Sequence, residues 1–172
     1  MDLRTSLAEL DAAGELQHIH APISPQLDVA RVLAGRDDTP LLFESLSGYP
    51  GWRLAAGYVA QRAHFARALG CTVAELVQRM VNAIAHPEPP TTVENPPCQD
   101  VVLSNVDLVQ IPIPRYHPLD GGPYVTAGVA IIVDSDYGRN ISFHRLMRIS
   151  SDRLVGRIVE QRGTDTAWRK AP

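Results

Sequence analysis

The segment Asn140-Ile141-Ser142-Phe143-His144-Arg145 holds the densest set of groups able to do chemistry. The Asn140 carboxamide offers a neutral oxygen to a hard cation. Ser142 adds a hydroxyl, and Arg145 presents a planar fork shaped for carboxylate or phosphate. The surrounding run, 141–149, reads as a strand, and an arginine inside an apolar strand is costly unless paired. Arg145 is therefore expected to face an anion, from the protein or from a ligand. Arg157 and Arg162 follow in Arg157-Ile158-Val159-Glu160-Gln161-Arg162-Gly163. Three arginines near one hairpin could bind a phosphorylated cofactor; they could equally be solvated or salt-bridged.

Other candidates are weaker. Residues 116–124 place a histidine, an aspartate and two tyrosines around Asp120-Gly121-Gly122. Those glycines either supply positive φ angles for a tight turn or let the backbone approach a ligand closely. His18 and His20 lie two apart on an expected strand, share a face, and could hold a metal, but no third ligand is evident. His64 and His86 have no partner. Cys71 and Cys98 form no CxxC pair and are too few for a disulfide scaffold, so both read as reduced, inert thiols.

The elements that must position these groups alternate between helix and strand in the first half. Leu3, Leu7 and Leu10 recur at helical spacing before Gly14. Residues 16–23 suit a short strand. Ser24-Pro25 looks like a cap followed by proline in the first turn of a helix that runs toward Gly35. Leu41 to Glu44 is a buried strand, Arg53 to Ala56 another, and Ala60 to Leu69 a helix. Thr72-Val73-Ala74-Glu75 is a capping box before a helix carrying Leu76, Val77, Met80, Val81 and Ile84. Five prolines in 87–98 make an extended linker.

After the linker, 101–106 and 109–113 look β-like. Residues 124–134 form a long strand, Ser135 to Arg139 a turn, and 141–149 the returning strand, with Ile141, Phe143, Arg145, Met147 and Ile149 on one face. The expected class is α+β: a small N-terminal α/β domain over 1–98, then the opening strands of a β domain over 99–172. So few strands cannot close a barrel. The 172 residues are 45% hydrophobic and 20% charged, with a net charge of −3. That balance gives no reason to expect nucleic acid or an anionic membrane as partner. No apolar run is long enough to span a bilayer, and the amphipathic N-terminus is unlike a signal peptide. A soluble cytoplasmic protein is expected.

Several of these blocks together resemble the UbiD family of (de)carboxylases. They are Leu41-Leu42-Phe43-Glu44 with Gly48-Tyr49-Pro50; Val106-Asp107-Leu108 with Ile111-Pro112-Ile113; His117 through Thr126; and Asn140 through Arg145. The resemblance implies an N-terminal α/β domain followed by a split β-barrel related to flavin reductases that binds prenylated FMN. By that likeness Asn140 ligates a divalent ion, usually Mn2+, that also touches the cofactor phosphate; K+ is a further candidate cation. Ile141, Ser142, Phe143, His144 and Arg145 would contact the cofactor, and Arg145 would join a catalytic network with acidic residues. Arg157, Ile158, Val159, Arg162 and Gly163 match further cofactor positions.

The implied reaction is loss of CO2 from an aromatic or α,β-unsaturated acid, such as a 4-hydroxybenzoate derivative. The cofactor would act as electron sink, and a prenyl-FMN synthase of UbiX type would supply it. Many members carry a histidine near position 161, where this chain has Gln161. The family's acidic catalytic residues lie beyond position 172, so the chain is expected to be an inactive N-terminal portion of a longer, self-associating enzyme. Two other readings stand beside it: an assembly or cofactor-binding subunit of a split decarboxylase, and an FMN-binding reductase module.

Overall fold

The computed structural model describes residues 2–171. The chain divides into two compact units, Met1–Ile23 with Val32–Asn105, and Ser24–Arg31 with Val106–Pro172.

In the first unit, α1 (Leu3–Ala12) is capped by Asp2, whose carboxylate accepts the Thr5 N–H at 2.8 Å. It leads to β1 (Gln17–Ile19), which pairs in parallel with β2 (Leu41–Phe43); β2 pairs antiparallel with β3 (Leu54–Ala56). A parallel pair requires a crossover, and α2 (Asp28–Leu33) lies within it. The central strand is buried at every position, as its unbroken apolar run requires. Leu10 and Leu16 close on Leu42, with Leu7, Ala55 and Tyr58 around them. Then come α3 (Arg62–Ala68) and α4 (Leu76–Ala85). The Thr72 box is real: the Thr72 N–H donates to Glu75 at 2.9 Å, and the Glu75 N–H donates to the Thr72 hydroxyl at 3.3 Å. It sits one turn ahead of α4.

The Ser24-Pro25 expectation is wrong in position. The Ser24 hydroxyl accepts the Gln26 N–H at 3.1 Å, and Leu27 takes a left-handed φ of 72°. This segment instead exchanges backbone bonds with Arg115 (Leu27 N–H to Arg115 O, 2.9 Å; Arg115 N–H to Pro25 O, 3.0 Å), and α2 starts only at Asp28.

The second unit departs further from expectation. The two long strands each break in two, giving β4 (Tyr124–Val125), β5 (Val129–Asp134), β6 (Gly138–Phe143) and β7 (Leu146–Arg148), followed by β8 (Leu154–Gly156). One sheet is ordered β4-β7-β8, and β5-β6 form a separate hairpin. The breaks face each other. The His144 N–H donates to Gly128 O at 3.0 Å, and a Cβ at Gly128 would meet His144 O at 3.1 Å. A larger residue would push His144 away by a few tenths of an ångström, and the chain turns from one sheet into the next there.

The strands expected over 101–106 and 109–113 are absent among the described residues; Leu108–Gln110 is a 3-10 turn in which the Asp107 carboxylate accepts the Val109 N–H and the Leu108 N–H donates to Ser151 O. Branched apolar residues fit a pleated surface, but only where a neighbour strand is available. The last element, α5 (Gly163–Lys170), was not anticipated. Its sequence, GTDTAWRK, is poor in strong helix formers. It is held by polar clamps: Asp165 accepts the Gln161 N–H at 2.9 Å and the Arg169 Nε–H at 3.0 Å. Among the described residues no helix is long and apolar enough to cross a membrane.

Candidate functional site

Asn140, Ser142 and His144 approach one another on the covered side of β6 and just beyond it. Alternation along β6 leaves Asn140 and Ser142 half-buried, with Ile141 and Phe143 exposed on the other side. The start of α5 packs over the covered side. Gly163 leaves room for the Asn140 carboxamide there, because a Cβ would lie 2.5 Å from Asn140 Oδ1 and 2.9 Å from its Cγ and would force that side chain or the helix start to shift. The turn into α5 uses Gln161 at a φ of 59°, a left-handed position that Asp165 stabilises by accepting its N–H. That bond first, and Arg169 second, hold the Asp165 carboxyl below the usual aspartate range.

The polar centre is compact. The Asn140 carboxamide donates to Ser142 Oγ at 3.4 Å. Ser142 Oγ lies 3.0 Å from His144 Nε2 and 3.2 Å from Thr164 Oγ1, and Thr164 Oγ1 lies 3.0 Å from the same Nε2. Each hydroxyl donates once, and Nε2 either donates or accepts according to the tautomer. Around this patch opens a pocket of about 350 Å3.

Of the residues singled out from the sequence, Asn140, Ser142, Phe143, His144, Arg145, Arg157, Val159, Arg162 and Gly163 line the pocket; Ile141 and Ile158 do not. Thr164 joins them, and the only sequence signal for it was its place beside Gly163. Arg145 corrects an earlier premise. It lies past the end of β6, in the break before β7, and is exposed, so no desolvation forces a partner on it. Among the described residues, none of Arg145, Arg157 and Arg162 makes an ion pair within 4.0 Å. The pocket lining carries three guanidinium groups and no carboxylate.

This donor set suits an anion bearing several oxygens. It does not by itself hold a metal. Asn140 is a single neutral ligand, divalent ions of the Mn2+ kind take about six oxygens, and no cluster of three His, Cys, Asp or Glu able to hold a metal occurs among the described residues.

The Asp120 block serves the fold. The Asp120 carboxylate accepts the His117 N–H at 2.9 Å, and Arg115 donates to Asp120 O at 2.6 Å. Gly121 and Gly122 do not take positive φ. A Cβ on Gly122 would meet Arg148 O at 3.0 Å and Met147 Cγ at 3.2 Å, so the glycines permit close approach to β7. Cys71 and Cys98 are free.

Two family models match the chain, one after the other. Residues 7–84 match the 3-octaprenyl-4-hydroxybenzoate carboxy-lyase N-terminal domain, and residues 91–172 match the Rift-related domain of the same carboxy-lyase. An anhydromevalonate phosphate decarboxylase from Methanosarcina mazei is 30% identical over 171 residues, covering 99% of this chain and 39% of the relative. The UbiD-class enzyme HmfF from Pelotomaculum thermopropionicum, solved in an evolved dimeric form with prFMN, superposes with a TM-score of 0.87 at 33% identity, over 92% of this chain and 38% of HmfF. The apo 3,4-dihydroxybenzoic acid decarboxylase of Enterobacter cloacae gives 0.86 at 27% identity, over 99% and 39%. The architecture is thus the mixed α/β fold of decarboxylating carboxy-lyases. The chain belongs to the UbiD family, and it spans about two-fifths of the length of these relatives.

Proposed function

We propose that the chain forms the N-terminal and cofactor-holding part of an enzyme that removes CO2 from an aromatic or α,β-unsaturated carboxylic acid with prenylated FMN. The observation that carries this reading is the pocket between β6 and α5, where three unpaired arginines surround a carboxamide and two hydroxyls. Residues 1–98 act as the α/β domain, and 99–172 contribute strands to a split β-barrel of flavin-reductase type. Prenylated FMN, supplied by a UbiX-type synthase, contributes the electron sink when bound. Arg157 and Arg162 counter the phosphate charge, and the Ser142 and Thr164 hydroxyls complete its hydrogen bonds. Were Mn2+ or K+ bound, Asn140 would offer it one neutral oxygen, and its other ligands would have to come from outside the described pocket. Arg145 orients the substrate carboxylate. With no acid in the pocket lining, the proton that replaces CO2 must come from another group. The reading further places the protein in the cytoplasm, as a homo-oligomer when complete.

The test is a fluorescence titration of the chain with FMN and with riboflavin, which lacks the phosphate. FMN is expected to bind at least about tenfold more tightly, since charge-assisted bonds contribute about 1.5–3 kcal/mol each. Arg157→Ala and Arg162→Ala should lower FMN affinity and leave riboflavin unchanged. Equal affinities for both flavins would remove the reading. The chain alone is expected to release no CO2.

A second reading, an assembly subunit of a split enzyme, is favoured by the outer face of the β5–β6 hairpin. Val129, Ile131, Val133, Ile141 and Phe143 are all exposed there. A chain that stays folded and monomeric in sedimentation, with no partner chain present, would remove the motive for this reading.

A further inference from the structure

The His18 ring lies between two carboxylates. Its Nδ1 is 2.7 Å from Glu44 Oε1 on the segment leaving β2, and its Nε2 is 3.0 Å from Asp11 Oδ1 in the last turn of α1. An ionised carboxylate only accepts. A neutral imidazole has one N–H, so one of its nitrogens would turn a lone pair toward a carboxylate oxygen. Both contacts become hydrogen bonds only when the ring is an imidazolium. The two acids lie on opposite edges of the ring, so they do not converge on one point beside it, and no cluster of three metal-binding groups includes His18 or His20 among the described residues.

The other charged groups around His18 leave this arrangement intact. From the segment before β3, Arg53 stands 3.6 Å from Glu44. From α1, Arg4 and Asp11 line the same pocket. On β1 itself, the His20 ring stacks on His18 at 5.9 Å with 14° between the planes. The two carboxylate bonds, Glu44 first and Asp11 second, raise the His18 pKa above the ordinary 6.5.

We propose that protonated His18 is a pH-operated latch that fastens the C-terminal end of α1 to the β1–β2–β3 sheet. The latch has something to govern. A pocket of about 460 Å3 opens between α1, on the side of Leu7 and Asp11, and the sheet, on the side of His18, Leu42, Glu44 and Ala55. Leu10 stays anchored in the core, so loss of the proton loosens the helix without expelling it. A group whose folded pKa is raised stabilises the closed form fully below its unfolded value. That contribution disappears as pH rises through the folded value. The window therefore opens at about 6.5 and extends upward to the raised pKa.

The experiment is hydrogen exchange of the α1 amides in the full chain, corrected for intrinsic rates, together with an NMR titration of the His18 ring. Across the window the α1 protection factors are expected to fall about tenfold for each unit by which the pKa is raised. His18→Gln, which carries no titrating charge, should abolish that dependence and show low protection at every pH. Both ring nitrogens should be protonated at pH 6.5 in the wild type. A His18 that titrates at or below 6.5 would overturn the latch, as would an unchanged pH dependence in His18→Gln. If His18→Gln fails to fold, Asp11→Asn serves in its place, and it should lower the His18 pKa.

Discussion

The β1–β2–β3 sheet and the β5–β6 hairpin use similar apolar residues in different ways. In the sheet, Leu41, Leu42 and Phe43 are enclosed on both sides. The hairpin buries one side beneath α5 and exposes the other, with Phe143 79% accessible and Phe43 not at all. What holds α5 to the hairpin is largely polar. Asp134 accepts the N–H groups of Asp136 and Tyr137 at 2.9 and 3.0 Å, and Lys170 bridges Asp134 and Asp136 at 3.0 and 2.6 Å. One region thus depends on exclusion of water, and the other on charges placed at a turn. The difference shows why a chain of moderate hydrophobic content can carry both a rigid platform and an exposed apolar face.

Substitutions can break this contrast. Phe43→Ala should have the largest effect, costing about 3–5 kcal/mol, read as a lowered urea midpoint with an unchanged slope. Gly163→Ala should displace Asn140 or the start of α5, since its Cβ would overlap the carboxamide. FMN affinity should fall at least about tenfold, the scale of one lost charge-assisted bond, while the first unit's unfolding stays as it was. Asp134→Asn tests the polar clamp. The two backbone N–H groups, then Lys170, hold the Asp134 carboxyl below 3.8. Its contribution is therefore complete above pH 3.8 and fades as pH falls through the lowered value. The variant should be less stable at neutral pH and less acid-sensitive below 3.8, as followed by circular dichroism. Phe143→Ala should shift stability by no more than about 0.5 kcal/mol. A loss comparable to that of Phe43→Ala would mean that the outer hairpin face is covered in solution.

Much of the first unit was legible because its signals are local. The unbroken run at Leu41 to Phe43 and the Thr72–Glu75 spacing each specify structure within a few residues. In the second unit the strand periodicity was readable, but the facing breaks at Gly128 and His144 were not, since each depends on a residue sixteen positions away. Helix α5 was missed because its stability rests on Asp165 and on the contact of Lys170 with a turn 34 residues earlier. The site residues from Asn140 to Gly163 were named through family likeness, and the structure gathers most of them around one pocket. Thr164 carried no motif. The spacing of His18 and His20 on one face was legible, and their rings stack, but the hydrogen-bond partners of His18, Asp11 and Glu44, lie seven and 26 residues away and carried no signal.

The clamp on the hairpin turn has a consequence for heredity. Lys170 serves two carboxylates and also lies 4.7 Å over the Tyr137 ring. Once that lysine is lost, Asp134 is left almost enclosed with two backbone N–H groups and no counter-charge, and selection should then favour a neutral residue in its place. Positions 134 and 170 should therefore drift as a pair through descent, with 136 and 137 following more loosely. A lineage that keeps the acid and discards the base should carry a compensating cation elsewhere around the turn.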